Sequence, residues 1–126
     1  MKENKITIEI NKPISEVFNF TITPENTHKW IDSIEKEETS DHNIKVGTKY
    51  KNVNKEGEWS EYIVTKFEKD KLFELQKSDG DLHVRYTYTH LGENKTSLEY
   101  FEWTEKTQLN HPFSVDVLEK LKIILE

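Results

Sequence analysis

At 126 residues, with 33% apolar and 33% charged residues, the chain is expected to form one domain, residues 1–126, around a lean core. It has no cysteine, which excludes disulfides, thiolate catalysis and Cys-ligated zinc. The net charge of −6, spread with no basic stripe, argues against a nucleic-acid partner.

No apolar run approaches the ~20 residues of a membrane-spanning helix. The opening Met-Lys-Glu-Asn-Lys has no apolar segment behind it like a secretory signal, so a cytoplasmic protein is expected. Six Phe, five Tyr and three Trp must carry much of the burial, since each aromatic ring removes roughly 150–250 Å² from water.

From the N-terminus, Ile6, Ile8 and Ile10 alternate with Thr7 and Glu9, a half-buried strand over Lys5 to Asn11. Pro13 to Phe20 reads as a short helix opening at Pro13, with Ile14, Val17 and Phe18 inward. Thr23-Pro24-Glu25 starts a second short helix, carrying Trp30 and ending near Ser33. Glu35–Ser40 is a polar strand. Gly47 opens a strand over 48–53 centred on Tyr50. Trp59–Phe67 and Leu72–Lys77 are further strands.

Asp79-Gly80 signals a tight hairpin, because both positions tolerate positive φ. Leu82, Val84, Tyr86 and Tyr88 then alternate with His83, Arg85, Thr87 and Thr89, which places the second set on an outer, wetter face. In the strand over 97–104 the apolar parity changes at Tyr100-Phe101, so a bulge, or a strand partly covered on both faces, is expected there. The closing stretch is amphipathic: Phe113, Val117, Leu118, Leu121, Ile124 and Leu125 share one helical face, with Pro112 or Ser114 at its start. Helices segregated from an antiparallel sheet make an α+β domain.

Several stretches resemble one superfamily. Ile8-Glu9-Ile10-Asn11-Lys12-Pro13-Ile14-Ser15-Glu16-Val17-Phe18 is similar to the opening of the START-like, or SRPBCC, superfamily. Thr23-Pro24-Glu25 through Trp30, Val46-Gly47-Thr48-Lys49-Tyr50, Tyr62 to Glu68, and Leu121 to Glu126 resemble its later motifs in the same order. The likeness runs the length of the chain and is nearest the polyketide cyclase/dehydrase-like branch. It implies a helix-grip fold: a seven-stranded antiparallel sheet curved around the C-terminal helix, two short helices after the first strand, and an apolar cavity between sheet and helix. Asp70 stands where many relatives carry Pro. The terminal helix is shorter than usual, which leaves the cavity partly open or capped by Gln108 to Phe113.

The candidate chemistry follows from strand parity. Histidines 28, 42, 83, 90 and 111 show no metal-ligand spacing, and His83 and His90 fall on opposite faces, so no metal and no cofactor are expected. The expected cavity lining is Trp30, Tyr50, Trp59, Phe73, Tyr86, Tyr88, Tyr100, Phe113, Val117 and Leu121. Rings give apolar walls and phenol hydroxyls orient a ligand. Glu102 shares parity with Leu98 and Tyr100. Facing inward it would be a desolvated acid or base; beyond the expected bulge it faces solvent, the preferred reading.

The expected function is binding of a hydrophobic or aromatic small molecule, by a monomer or weak homodimer. Two alternatives stand beside it: a cyclase, dehydratase or aromatase-like enzyme, and an interaction module resembling the superfamily's chaperone-activator branch.

Overall fold

A computed structural model describes residues 2–109 and 112–126. The order is β1 (Lys2–Ile10), α1 (Ile14–Ile22), α2 (Pro24–Trp30), β2 (Ile34–Thr39), β3 (Lys49–Asn54), β4 (Trp59–Glu68), β5 (Leu72–Lys77), β6 (His83–Gly92), β7 (Lys95–Thr104) and α3 (Val115–Leu125). The seven strands form one curled antiparallel sheet in the order β1-β7-β6-β5-β4-β3-β2, and α3 packs on the concave side against β1 and α2. This is an α+β helix-grip architecture.

Local chemistry explains the two-helix wedge. Thr23 precedes Pro24, whose ring disfavours helical geometry in the residue before it. Thr23 is accordingly extended (φ −79°, ψ 115°), which ends α1 and lets Pro24 begin α2. The Thr23 hydroxyl does not cap α2; it donates back to the Asn19 carbonyl at 2.6 Å. The second helix stops at Trp30, earlier than Ser33, with the Ile31 amide bonded to the Thr27 carbonyl.

Ile10, Val17, Phe18, Tyr88, Leu98, Leu118 and Leu121 are buried at the α1 and α3 end of the concave face. Ile6, Ile8, Leu75, Leu82, Val117 and Leu125 pack against the core partly buried.

Several expectations are corrected. The terminal helix starts at Val115, because Ser114 is extended (φ −96°, ψ 167°) and occupies the N-cap; Pro112 lies outside it. His111, within the stretch read as leading into that helix, lies outside the described residues. Ile124 is exposed, since burial on α3 centres on Leu118 and Leu121. Asp79-Gly80 does not make a two-residue hairpin: β5 and β6 are joined through 78–82, and the Lys77 amide bonds to the Leu82 carbonyl. Asp70, expected to change little in place of the relatives' Pro, adopts φ 60°, a left-handed conformation that proline's ring forbids.

Of the two readings of the parity change at Tyr100-Phe101, the bulge is absent and β7 is instead partly covered on both faces. Register runs unbroken there on both flanks of β7, with Tyr100 opposite Ile6 and Tyr86, and Glu102 opposite Asn4 and Val84. The second cover comes from an aromatic cluster on the convex face, to which Phe101 and Trp103 belong. Trp103 stacks on His83 (4.7 Å) and Phe101 (4.8 Å), and the Arg85 guanidinium lies over Trp103 at 5.0 Å. Arg85 also donates to Glu74 (2.7 Å), whose other oxygen accepts from Thr65 (2.9 Å), and Glu74 is only 6% exposed. His83, Arg85 and Thr87 are on the convex side, but that surface is only partly wet.

Candidate functional site

The concave face is hollow at one end. A cavity of about 580 Å³ lies between β2–β7, α2 and the segment leading to α3. Its walls follow from parity. Tyr50 and Asn52 on β3, Ser60 and Tyr62 on β4, Phe73 and Leu75 on β5, Val84 and Tyr86 on β6, and Tyr100, Glu102 and Thr104 on β7 all project inward at alternate positions. Trp30 and Ile31 close one side, and Gln108, Leu109 and Phe113 contribute to the cover on another.

The rings form a connected set. Tyr86, Tyr100, Phe113 and Trp30 make a closed circuit, with centroid separations of 5.3, 4.5, 6.2 and 6.3 Å in that order around the loop. Tyr86 continues to Phe73 (5.7 Å) and Phe73 to Tyr50 (5.5 Å). Most neighbours in this set meet edge to face or tilted, an arrangement that the aromatic quadrupole favours.

Of the ten expected lining residues, Trp30, Tyr50, Phe73, Tyr86, Tyr100 and Phe113 border this cavity. Four do not. Trp59 is on the convex side opposite Val53, 55% exposed, because the inward residues of β4 are Ser60 and Tyr62. Tyr88 is covered by α1, and its hydroxyl meets that of Thr21 at 2.5 Å. Val117 and Leu121 lie on α3, which packs over β1 beside the hollow rather than above it.

Among the described residues four carboxylates line the cavity, Asp79 and Asp81 at the β5–β6 connection and Glu37 and Glu102 on strands β2 and β7. Glu37, on β2, accepts from the Thr27 hydroxyl (2.6 Å) and from the Asn52 amide (3.1 Å). Glu102, on β7, faces inward and is 4% exposed, which corrects the preference for a solvent-facing side chain; without a bulge, its parity with Tyr100 is kept. Burial raises both carboxyls above their usual range, opposed by hydrogen bonds from Thr27 and Asn52 for Glu37, and from Tyr100, the Phe113 backbone and Asn4 for Glu102.

Neither polar Glu37 nor Tyr62 was among the expected lining. Glu37 sits in a strand too charged to read as half-buried. Tyr62 could have been found, since it alternates with Ser60 and Val64.

The phenols are held neutral. Burial raises Tyr50, Tyr62, Tyr86 and Tyr100, reinforced by the negative charge of Glu37 or Glu102. These hydroxyls are therefore donors and acceptors, not bases. Tyr50 donates to the Ile22 carbonyl at 2.5 Å. The hydroxyl of Tyr86 has no hydrogen-bond partner among the described residues. Trp30 Nε1 is buried and likewise unpartnered.

Among the described residues no three His, Asp or Glu side chains converge as metal ligands. His28, His42 and His90 are exposed and scattered. No helix among the described residues is long and apolar enough to cross a membrane.

No family model and no curated relative matches the sequence. Solved structures do match in three dimensions. A START superfamily protein from Mycobacterium smegmatis superposes with a TM-score of 0.76 at 11% identity, covering 98% of this chain and 96% of that one. The protein XoxI from Bacillus cereus gives 0.79 at 11% identity, over 99% and 96%. The Aha1 dimer from Colwellia psychrerythraea gives 0.72 at 17%, over 100% and 97%. Likeness at this level of identity establishes the fold: the chain has a START-like helix-grip fold.

Proposed function

We propose that this START-like helix-grip protein binds a small molecule with an apolar or aromatic body in the hollow half of its concave face. The observation that carries this reading is the cavity itself. About 580 Å³ falls within the range of small-molecule sites, and the walls combine rings with a few directed polar groups. A closed circuit of four rings suits a planar body, and the Tyr86 hydroxyl suits a single orienting contact. The fold supports such a role without specifying the ligand.

The test is native mass spectrometry of freshly purified protein, followed by titration with a neutral environment-sensitive dye such as Nile red. The expected result is a saturable one-to-one complex, lost when a bulky side chain fills the cavity, as in Val84→Trp. Absence of any saturable binding by folded protein would overturn the reading and leave an interaction module as the better one.

A second reading is favoured by one observation, the inward position of Glu102 beside the Tyr100 hydroxyl. A buried carboxyl with a raised pKa next to a neutral phenol can shuttle a proton, which would make the protein an enzyme of the cyclase or dehydratase type on a hydrophobic substrate. The catalyst reading expects Glu102→Gln to co-purify with a different, unprocessed molecule. The same molecule in both proteins would favour binding alone.

A further inference from the structure

From the charge and geometry of the lining we infer that the cavity takes a cationic ligand, an apolar or aromatic body carrying a protonated amine, and rejects carboxylates and phosphates. This rests on the binding reading above and names the chemical class of its ligand.

Among the described residues the lining carries Glu37, Asp79, Asp81 and Glu102 against a single ammonium, Lys77. Lys77 is 3.9 Å from Asp79, at the β5–β6 connection. Asp81 is already engaged by Thr107 and the amides of residues 105–107. That leaves Glu37, half-buried, and Glu102, buried, in the lining, and the groups that favour their charged forms are hydroxyls and amides, with no cation among them. A buried carboxylate without a counter-charge is costly, and a ligand cation would supply one.

The independent observation is Tyr86. Its ring is 6% exposed and borders the cavity, its hydroxyl has no partner among the described residues, and it experiences the charges of both Glu37 and Glu102. A neutral phenol oxygen with a free lone pair, in a lining of this negative charge, can accept from an N–H donor. The surrounding ring faces add to the attraction, because an ammonium over an aromatic face is stabilised by the ring quadrupole. An anionic headgroup in the same place would meet two like charges. Burial already raises both carboxyls, so an incoming cation has that penalty to relieve.

The experiment uses three probes of one shape, naphthylethylamine, naphthylethanol and naphthylacetate, titrated calorimetrically into the full chain near neutral pH. The amine is expected to bind about tenfold or more tighter than the alcohol, and the acid more weakly than the alcohol, as charge-assisted hydrogen bonds would give. Glu37→Gln and Glu102→Gln, each checked for native near-UV dichroism, should both shrink the amine-to-alcohol ratio. An unchanged ratio in both variants would assign the preference to the net surface charge of −6 and overturn the proposal. Acid binding as tight as amine would overturn the cationic class while the cavity reading stands. If none of the three binds, the cavity reading itself fails and the ligand class falls with it.

Discussion

Tyr86 and Tyr88 stand two residues apart on the same face of β6, and they occupy different environments. Tyr88 is edge-on to Phe18 (5.0 Å), its hydroxyl meets Thr21, and α1 covers it. Tyr86 borders a cavity and has no hydroxyl partner among the described residues. One end of the concave face is filled by α1 and α3. The other is spanned by α2 and the segment after β7, which cover it without filling it. The difference teaches that hollowness here comes from the covering elements. The strand itself presents equally large rings at both places.

The comparison is broken most readily at the filled end. Leu121 is fully buried on α3, so Leu121→Ala should cost about 2–5 kcal/mol, read as a lowered urea midpoint. An unchanged midpoint would mean that α3 does not grip the sheet. On the convex face, Arg85→Ala removes the guanidinium that donates to buried Glu74. Leaving that acceptor short of a donor should cost about 1–3 kcal/mol. A loss below about 0.5 kcal/mol, the usual effect at a solvated surface site, would restore the wet outer face expected from the sequence.

The two tyrosines sharpen the comparison directly. Tyr88→Phe should lose about 0.5–1.5 kcal/mol with its bond to Thr21, whereas Tyr86→Phe should stay within about 0.5 kcal/mol in unfolding experiments. Equal losses would place both hydroxyls in the same kind of environment.

The smallest effect concerns the cover over the hollow end. Asp81 holds residues 105–107 through the Thr107 hydroxyl and three backbone amides, and these bonds lower its pKa from the usual 3.8 to about 2. A folded-state pKa below the unfolded one stabilises above 3.8, and that contribution is lost as pH falls toward about 2. Glu37 and Glu102 act with the opposite sign: raised in the fold, they favour folding at acid pH and lose that advantage as pH rises through their folded values. Urea midpoints followed against pH should therefore show a shallower acid decline in Asp81→Asn than in the unaltered chain. Superimposable profiles would mean that Asp81 does not hold the cover.

The strands were legible because their burial repeats with period two: Ile6, Ile8 and Ile10 on β1, then Val84, Tyr86 and Tyr88 on β6. The wedge was legible from two prolines. The errors arose where a residue's partner is remote in sequence. Phe101 and Trp103 read as a parity break because nothing local shows that His83 and Arg85 await them across β6. The same false bulge turned Glu102 outward. Trp59 was expected in the cavity lining, although it is out of parity with Tyr62, the inward residue of β4. Glu37 was missed because its partners, Thr27 and Asn52, come from a helix and a neighbouring strand. Six of the candidate lining residues could be chosen from ring size and parity, but the position of α3 beside the hollow depends on packing that no periodicity encodes.

The central claim, a ligand-accepting cavity at one end of the concave face, is tested most directly by the three tryptophan indole N–H resonances. Trp30 borders the cavity, Trp59 is exposed on the convex side, and Trp103 is stacked in the convex aromatic cluster. In a nitrogen-15 correlation spectrum, titration with neutral naphthylethanol should shift the Trp30 indole peak saturably and leave the other two in place. Saturable shifts confined to Trp59 and Trp103, or no saturable shift at any of the three, would contradict the account.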